Sequence, residues 1–159
     1  NFDISHLLSL LSFLIAYFLL LKLTYDDFKS LKFNESDRIP ILISLLFIIA
    51  ISSSVLSLQF ENMVFNLSLY IIYGIVLGIF IFISVTNYIK KPNFAFLNLV
   101  VFCVCSMISD TFFMINKFYL NLFALDFLQA SIQVFSYFFM VTYFIANDKY
   151  LKKQNGNEF

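Results

Sequence analysis

Charge is what this sequence has least of: 13% of its 159 residues are charged and 61% are hydrophobic, with a mean hydropathy of +0.88. So little polar surface excludes an ordinary soluble domain of this length and points to a membrane protein. Net charge is zero and no basic cluster is interleaved with aromatics, which excludes nucleic acid as a partner. Proline occurs only at Pro40 and Pro92, both at predicted helix boundaries, so the broken-helix signature of a transporter is missing. The two cysteines, Cys103 and Cys105, lie two apart on one predicted helix and point to different faces, where they can neither bridge nor share a metal. No charged leader with a small-residue cleavage site precedes the first apolar run, so no signal peptide is expected. The start at Asn1 rather than Met looks like a processed or truncated end. No internal repeat and no soluble domain stand out.

What is present is a series of apolar runs of membrane-crossing length. The first, Leu7 to Leu21, is short and borrows flanking residues to reach Ile4–Leu23. A solvated connection of mixed charge, Lys22 to Arg38, follows, and Asn34 or Ser36 can cap the next helix with Pro40 in its first turn. Further helices are expected over Ile39–Leu58, Met63–Tyr88, Phe94–Ile115 and Leu122–Ala146, with short turns at Gln59–Asn62 and Asn116–Asn121. The tail from Asn147 to Phe159 is polar and expected to fray. The second helix carries Ser52, Ser53 and Ser54, whose hydroxyls can bond back to the helix or across to a neighbour. Asn66, Tyr70, Tyr73 and Gly74 make a polar stripe on the third, expected to face inward. Gln129, Gln133, Ser136 or Tyr137, Met140 and Tyr143 lie along one side of the fifth. The fold class is therefore all-α, a polytopic transmembrane bundle of about five helices over residues 1–146.

Basic residues in short loops stay cytoplasmic. Lys22, Lys29, Lys32, Arg38, Lys90, Lys91, Lys149, Lys152 and Lys153 fall on one side of this bundle and only Lys117 on the other. The amino terminus is then outside and the carboxyl terminus cytoplasmic, in a multi-pass protein of the cell membrane. Asp3, Glu61 and Asp126 share the outer side with Lys117.

The stretch from Ser106 to Phe118 puts one carboxylate, Asp110, inside an apolar run, and an ionisable group at membrane depth is costly unless protonated, paired or facing a wet cavity. At helical spacing Asp110 shares a face with Cys103, Ser106, Met114 and Lys117. Small residues there let a neighbouring helix approach closely. Two readings of Asp110 stand side by side: a structural acid bonded to Ser106 or to a Tyr or Gln of another helix, and an acid that does chemistry. Lys117 is a snorkelling residue or a ligand for a phosphate head group. Gln129 and Gln133 are interhelical glue or head-group contacts, and Tyr70, Tyr73 and Tyr143 pack or line a cavity. His6 reads as an incidental surface position.

The segments Ile108-Ser109-Asp110, Ile115-Asn116-Lys117-Phe118 and Thr142-Tyr143-Phe144-Ile145-Ala146 resemble the carboxy-terminal half of the YhhN-like lysoplasmalogenase family. Tyr73 with its apolar continuation is similar to that family's antepenultimate helix, and Ser12-Phe13-Leu14-Ile15-Ala16 to its fourth. The likeness covers most of the chain. Family members have about eight helices and an earlier Gly-Asp helix with a second intramembrane acid, which is not found here. Tyr17 stands where the family usually has His, Phe80 where it often has Met, and Asn147 where it often has Gln.

The resemblance implies hydrolysis of the vinyl ether of lysoplasmalogens to a fatty aldehyde and a glycerophospho-alcohol, without a metal or organic cofactor. Such a reaction begins with protonation of the double bond, so it needs a carboxylic acid that keeps its proton near neutral pH, which burial in hydrocarbon favours. Asp110 takes the general-acid role on this reading, with Ser106, Ser109, Asn116, Lys117, Tyr73, Gln133 and Tyr143 as substrate contacts. A second carboxylate would stabilise the cation or activate water, as in glycoside hydrolysis. Asp126 is the one helix-associated candidate on the right side, and its place at a helix start suits an interfacial position. The expected partners are membrane lipids, among them a lysophospholipid substrate, with a homo-oligomer left open. Two function classes follow: a lipid hydrolase that needs further helices to be complete, and a non-catalytic membrane scaffold or lipid-binding bundle.

Overall fold

The computed structural model describes residues 2–60, 67–120 and 122–154; for 2–7, 9, 55–60, 67, 118–119 and 153–154 it describes the backbone only. Every regular element among them is helical: α1 Phe2–Lys29, a 3-10 turn Glu35–Asp37, α2 Arg38–Phe60, α3 Leu67–Lys90, α4 Phe94–Ile115, a π-helical turn Asn116–Leu120 and α5 Phe123–Gln154. The expected ends of α4 are reproduced, because Asn93 and Asn116 mark them chemically. The Asn93 side chain accepts from the Phe96 N–H at 2.8 Å, a cap directly after Pro92. The expected turn at Gln59–Asn62 and the first residues of the third helix, 63–66, lie at or beyond the edge of the described residues, as do Glu61 and Asn66 of the sequence reading and the side chains of Asp3 and His6.

Two helices run further than their hydrophobicity suggested. α1 continues six residues past Leu23 to Lys29, with a cation in its last turn; the buried Thr24 hydroxyl is satisfied within the helix by the Leu20 carbonyl at 3.0 Å. α5 passes Ala146 and stays helical to Gln154, so the polar tail begins as helix; Lys152 reaches back one turn to Asp148 at 2.6 Å. Hydropathy reports where apolar side chains stop, and a helix stops where its backbone bonds stop. In the connection after α1, the Asp37 carboxylate accepts from the Asn34 N–H at 2.8 Å, and Pro40 sits in the first turn of α2.

The chain divides into two compact units, Asn1–Thr86 and Asn87–Phe159. In the first, Leu10, Tyr17, Leu20 and Thr24 of α1, and Tyr70, Tyr73, Leu77, Phe80 and Ser84 among the buried residues of α3, recur at steps of three, four or seven. That is the seam pattern of helices packed at a shallow angle. Tyr17 is its centre, with its ring 5.6 Å from that of Tyr73 and 6.0 Å from that of Phe80. α2 meets α3 at Gly78, where Ile48 and the Ser52 hydroxyl stand 3.8 Å from the position a Cβ would take. Ser53 and Ser54 bond back to the Ala50 carbonyl. Of the expected stripe on α3, Tyr70 and Tyr73 are buried and Gly74 is half-buried.

The second unit is a helical hairpin of α4 and α5. Ser109 donates to the Gln129 carbonyl at 3.2 Å and Asn116 to Asp126 at 2.6 Å, so the two helices run antiparallel with those levels paired. Among the described residues four segments are long and apolar enough to cross a membrane: Glu35–Ser54, Ser68–Lys90, Phe94–Ile115 and Phe123–Lys152. Half of the α3 span is buried but only 6% of the α2 span and 11% of the α5 span. Their outward residues, among them Leu42, Phe47, Phe127, Phe135 and Phe138, form a surface suited to hydrocarbon.

Candidate functional site

The inward face of α4 is built by small and apolar residues at helical spacing. Ala95, Leu99, Phe102, Cys103, Ser106, Ser109 and Met114 are buried along it. Asp110, the one acid of α4, lies one turn beyond Ser106 and one before Met114, and its side chain is half-buried. It therefore sits on the flank of the buried face rather than among the exposed Val104 and Ile108.

Ser109, beside it, ties this level to α5 through the Gln129 backbone, a polar bond in an otherwise apolar contact. About two turns beyond Ser109, α4 opens into a π turn, a backbone irregularity found often at functional sites. Asn116 begins that turn, is 5% exposed and spends both ends of its amide. Its nitrogen donates to the Asp126 carboxylate at 2.6 Å, and its oxygen accepts a short bond from the Leu122 N–H. The amide thereby closes the hairpin and holds Asp126 within the first turn of α5, where an anion is favoured. Lys117 is exposed, its ammonium 5.5 Å from the centre of the Phe113 ring, a cation–π arrangement on the helix surface.

The remaining residues singled out from sequence distribute along the hairpin. Gln133 donates to the Tyr137 hydroxyl at 3.0 Å, and the buried Ser136 donates to the Gln133 carbonyl at 2.7 Å. Tyr143 is almost fully buried, but it lies 14 residues beyond Gln129, about 21 Å along α5 at roughly 1.5 Å per residue. Since Gln129 marks the level of Ser109 and Asp110, Tyr143 belongs to the other half of the hairpin. Tyr73 lies in the first unit, against Tyr17. Thus, within the second unit, Ser106, Ser109 and Asp110 form one group, Asn116 and Lys117 with Asp126 a second at the turn, and Tyr143 joins neither. Among the described residues no three His, Cys, Asp or Glu side chains are grouped to hold a metal.

Sequence reasoning missed two features: the Asn116–Asp126 clasp, and a run of fully buried polar residues, Ser84, Thr86 and Asn87, near the end of α3. The signal for the last was available, because Ser84 and Asn87 continue the register of Tyr70, Tyr73, Leu77 and Phe80. No family model matches this chain, and no curated protein or solved structure matches it.

Proposed function

We propose that this chain is a five-pass membrane protein, with its amino terminus outside and carboxyl terminus cytoplasmic, that hydrolyses the vinyl ether bond of a lysoplasmalogen. The half-buried Asp110 on the inward flank of α4 carries this reading, together with the likeness of the Ser109-Asp110 and Asn116-Lys117 segments to lysoplasmalogenases. On this reading the Asp110 carboxyl, carrying a proton, is the general acid. It would donate the proton to the alkene carbon distal to the ether oxygen, leaving an oxocarbenium ion beside the new carboxylate. The carboxylate offsets that charge and takes a proton from the attacking water. Collapse of the resulting hemiacetal releases aldehyde and alcohol.

The engagement of Asp126 with Asn116 favours a second reading, a non-catalytic lipid-binding bundle, because it occupies the one other acid on the expected outer side of this hairpin. Lysoplasmalogen in vesicles separates the two. On the first reading aldehyde is released once the chain is reconstituted with the further helices that reading requires, and Asp110→Asn abolishes the release while leaving circular dichroism unchanged. Undiminished release by that variant would remove Asp110 from the chemistry, and binding of the lipid without any aldehyde would establish the second reading.

A further inference from the structure

The antiparallel register of α4 and α5 has a consequence at the end of the hairpin away from the turn. Ser109 is level with Gln129 and Asn116 with Asp126. Carried about four turns along, the same register sets Asn93, the cap of α4, level with Asn147 of α5. Lys90 and Lys91 immediately precede that level on one strand of the hairpin, and Lys149, Lys152 and Lys153 follow it on the other. All belong to the second unit. Lys149 and Lys152 are exposed and Lys90 and Lys91 half-buried.

The first connection differs in kind. Between Lys22 and Arg38 four basic residues are matched by Asp26, Asp27, Glu35 and Asp37, and Arg38 stands 3.7 Å from Glu35. At the hairpin end the sequence sets five lysines, Lys90, Lys91, Lys149, Lys152 and Lys153, against two acids, Asp148 and Glu158, and Lys152 pairs with Asp148. Length matters too. The 32 residues of α5 span about 48 Å, whereas the hydrocarbon core is about 30 Å thick, so the turns after Ala146 stand in the head-group layer beside Tyr150.

We infer that this end of the hairpin, formed by Lys90, Lys91, Lys149 and Lys152, is a docking surface for the head groups of anionic phospholipids. The inference rests on the membrane-spanning reading, and not on ether hydrolysis or on which face of the membrane the lysines occupy. Juxtamembrane lysines attract anionic lipid by a factor of roughly five each at low salt, and the attraction fades as the Debye length shrinks.

The test uses the full chain in mixed micelles offered phosphatidylglycerol and phosphatidylcholine in equal amounts, with retained lipids counted by native mass spectrometry. Wild type should retain phosphatidylglycerol over phosphatidylcholine on the order of tenfold, falling as salt rises. The quadruple variant K90Q/K91Q/K149Q/K152Q should lose the preference, the matching Lys→Arg variant should keep it, and K22Q/K29Q/K32Q/R38Q should keep it. Equal retention of the two lipids by wild type, or an equal loss in the first-connection variant, would overturn the assignment. Failure of the chain to enter any bilayer would overturn the membrane-spanning reading itself, and the docking surface with it.

Discussion

Asn116 is the side chain whose removal the structure makes most specific. Asn116→Ala deletes a bond to a carboxylate and a bond from a backbone N–H at one stroke, in a residue that is 5% exposed. A hydrogen bond to a charged group contributes about 1.5–3 kcal/mol and a neutral one about 0.5–1.5 kcal/mol. Asp126 is itself exposed, so water replaces part of the first, and the expected loss is about 2 kcal/mol. For a chain of this size that is a fall in Tm of about 4–8 °C. Thermal unfolding in detergent micelles, followed by circular dichroism at 222 nm, reads it directly. Asp126→Ala strands the same buried amide, so the double variant should cost less than the sum of the singles by about 1 kcal/mol. Asn116→Asp sets two carboxylates within hydrogen-bond reach, and should be less stable than wild type at neutral pH and recover in acid as one carboxyl takes up a proton. Strict additivity of the two alanine variants, or a Tm change below 1 °C in Asn116→Ala, would show that the clasp does not hold the hairpin.

Two further substitutions probe packing. Gly78→Ala places a methyl at ordinary contact distance from Ile48 and Ser52, so it should stabilise by about 0.5–1 kcal/mol through helix propensity, whereas Gly78→Leu overfills the same space and should cost about 1–3 kcal/mol; the same melting experiment decides, and equal effects from both would mean α2 does not rest on α3 there. Asn147 buries an amide oxygen with no partner, so Asn147→Leu should leave stability unchanged or raise it by about 1 kcal/mol. A clear fall in Tm would mean that this oxygen is bonded after all, for instance through a bridging water.

The helical class and the ends of α4 could be read from sequence because they depend on local chemistry: long apolar runs, a proline, and an asparagine at each end. The burial of Tyr70 and Tyr73 was readable for the same reason, since their spacing continues the pattern of a buried seam. The extra turns of α1 and α5 were not, because backbone bonds carry a helix on where hydrophobicity ends, as in α5, where Lys152 pairs with Asp148 past the apolar run. Nor was the role of Asn116. Its partner lies ten residues away across a turn, and the pairing exists only once the π turn has set the distance between α4 and α5.

That same turn bears on how a reactive group could work in this hairpin. Asp110 lies six residues before Asn116, about 9 Å along the helix, so a clasp that holds the turn also limits how far α4 and α5 can part at the acid's level. Ser109, bonded to the Gln129 backbone one residue from Asp110, adds a second restraint close by. An acid on the flank of a buried face, bracketed by two interhelical bonds, is held in orientation without being sealed off, as the proposed proton transfer to a lipid would require. Loosening the clasp should therefore disturb any chemistry at Asp110 before it unfolds the helices, which makes Asn116→Ala informative about positioning as well as stability.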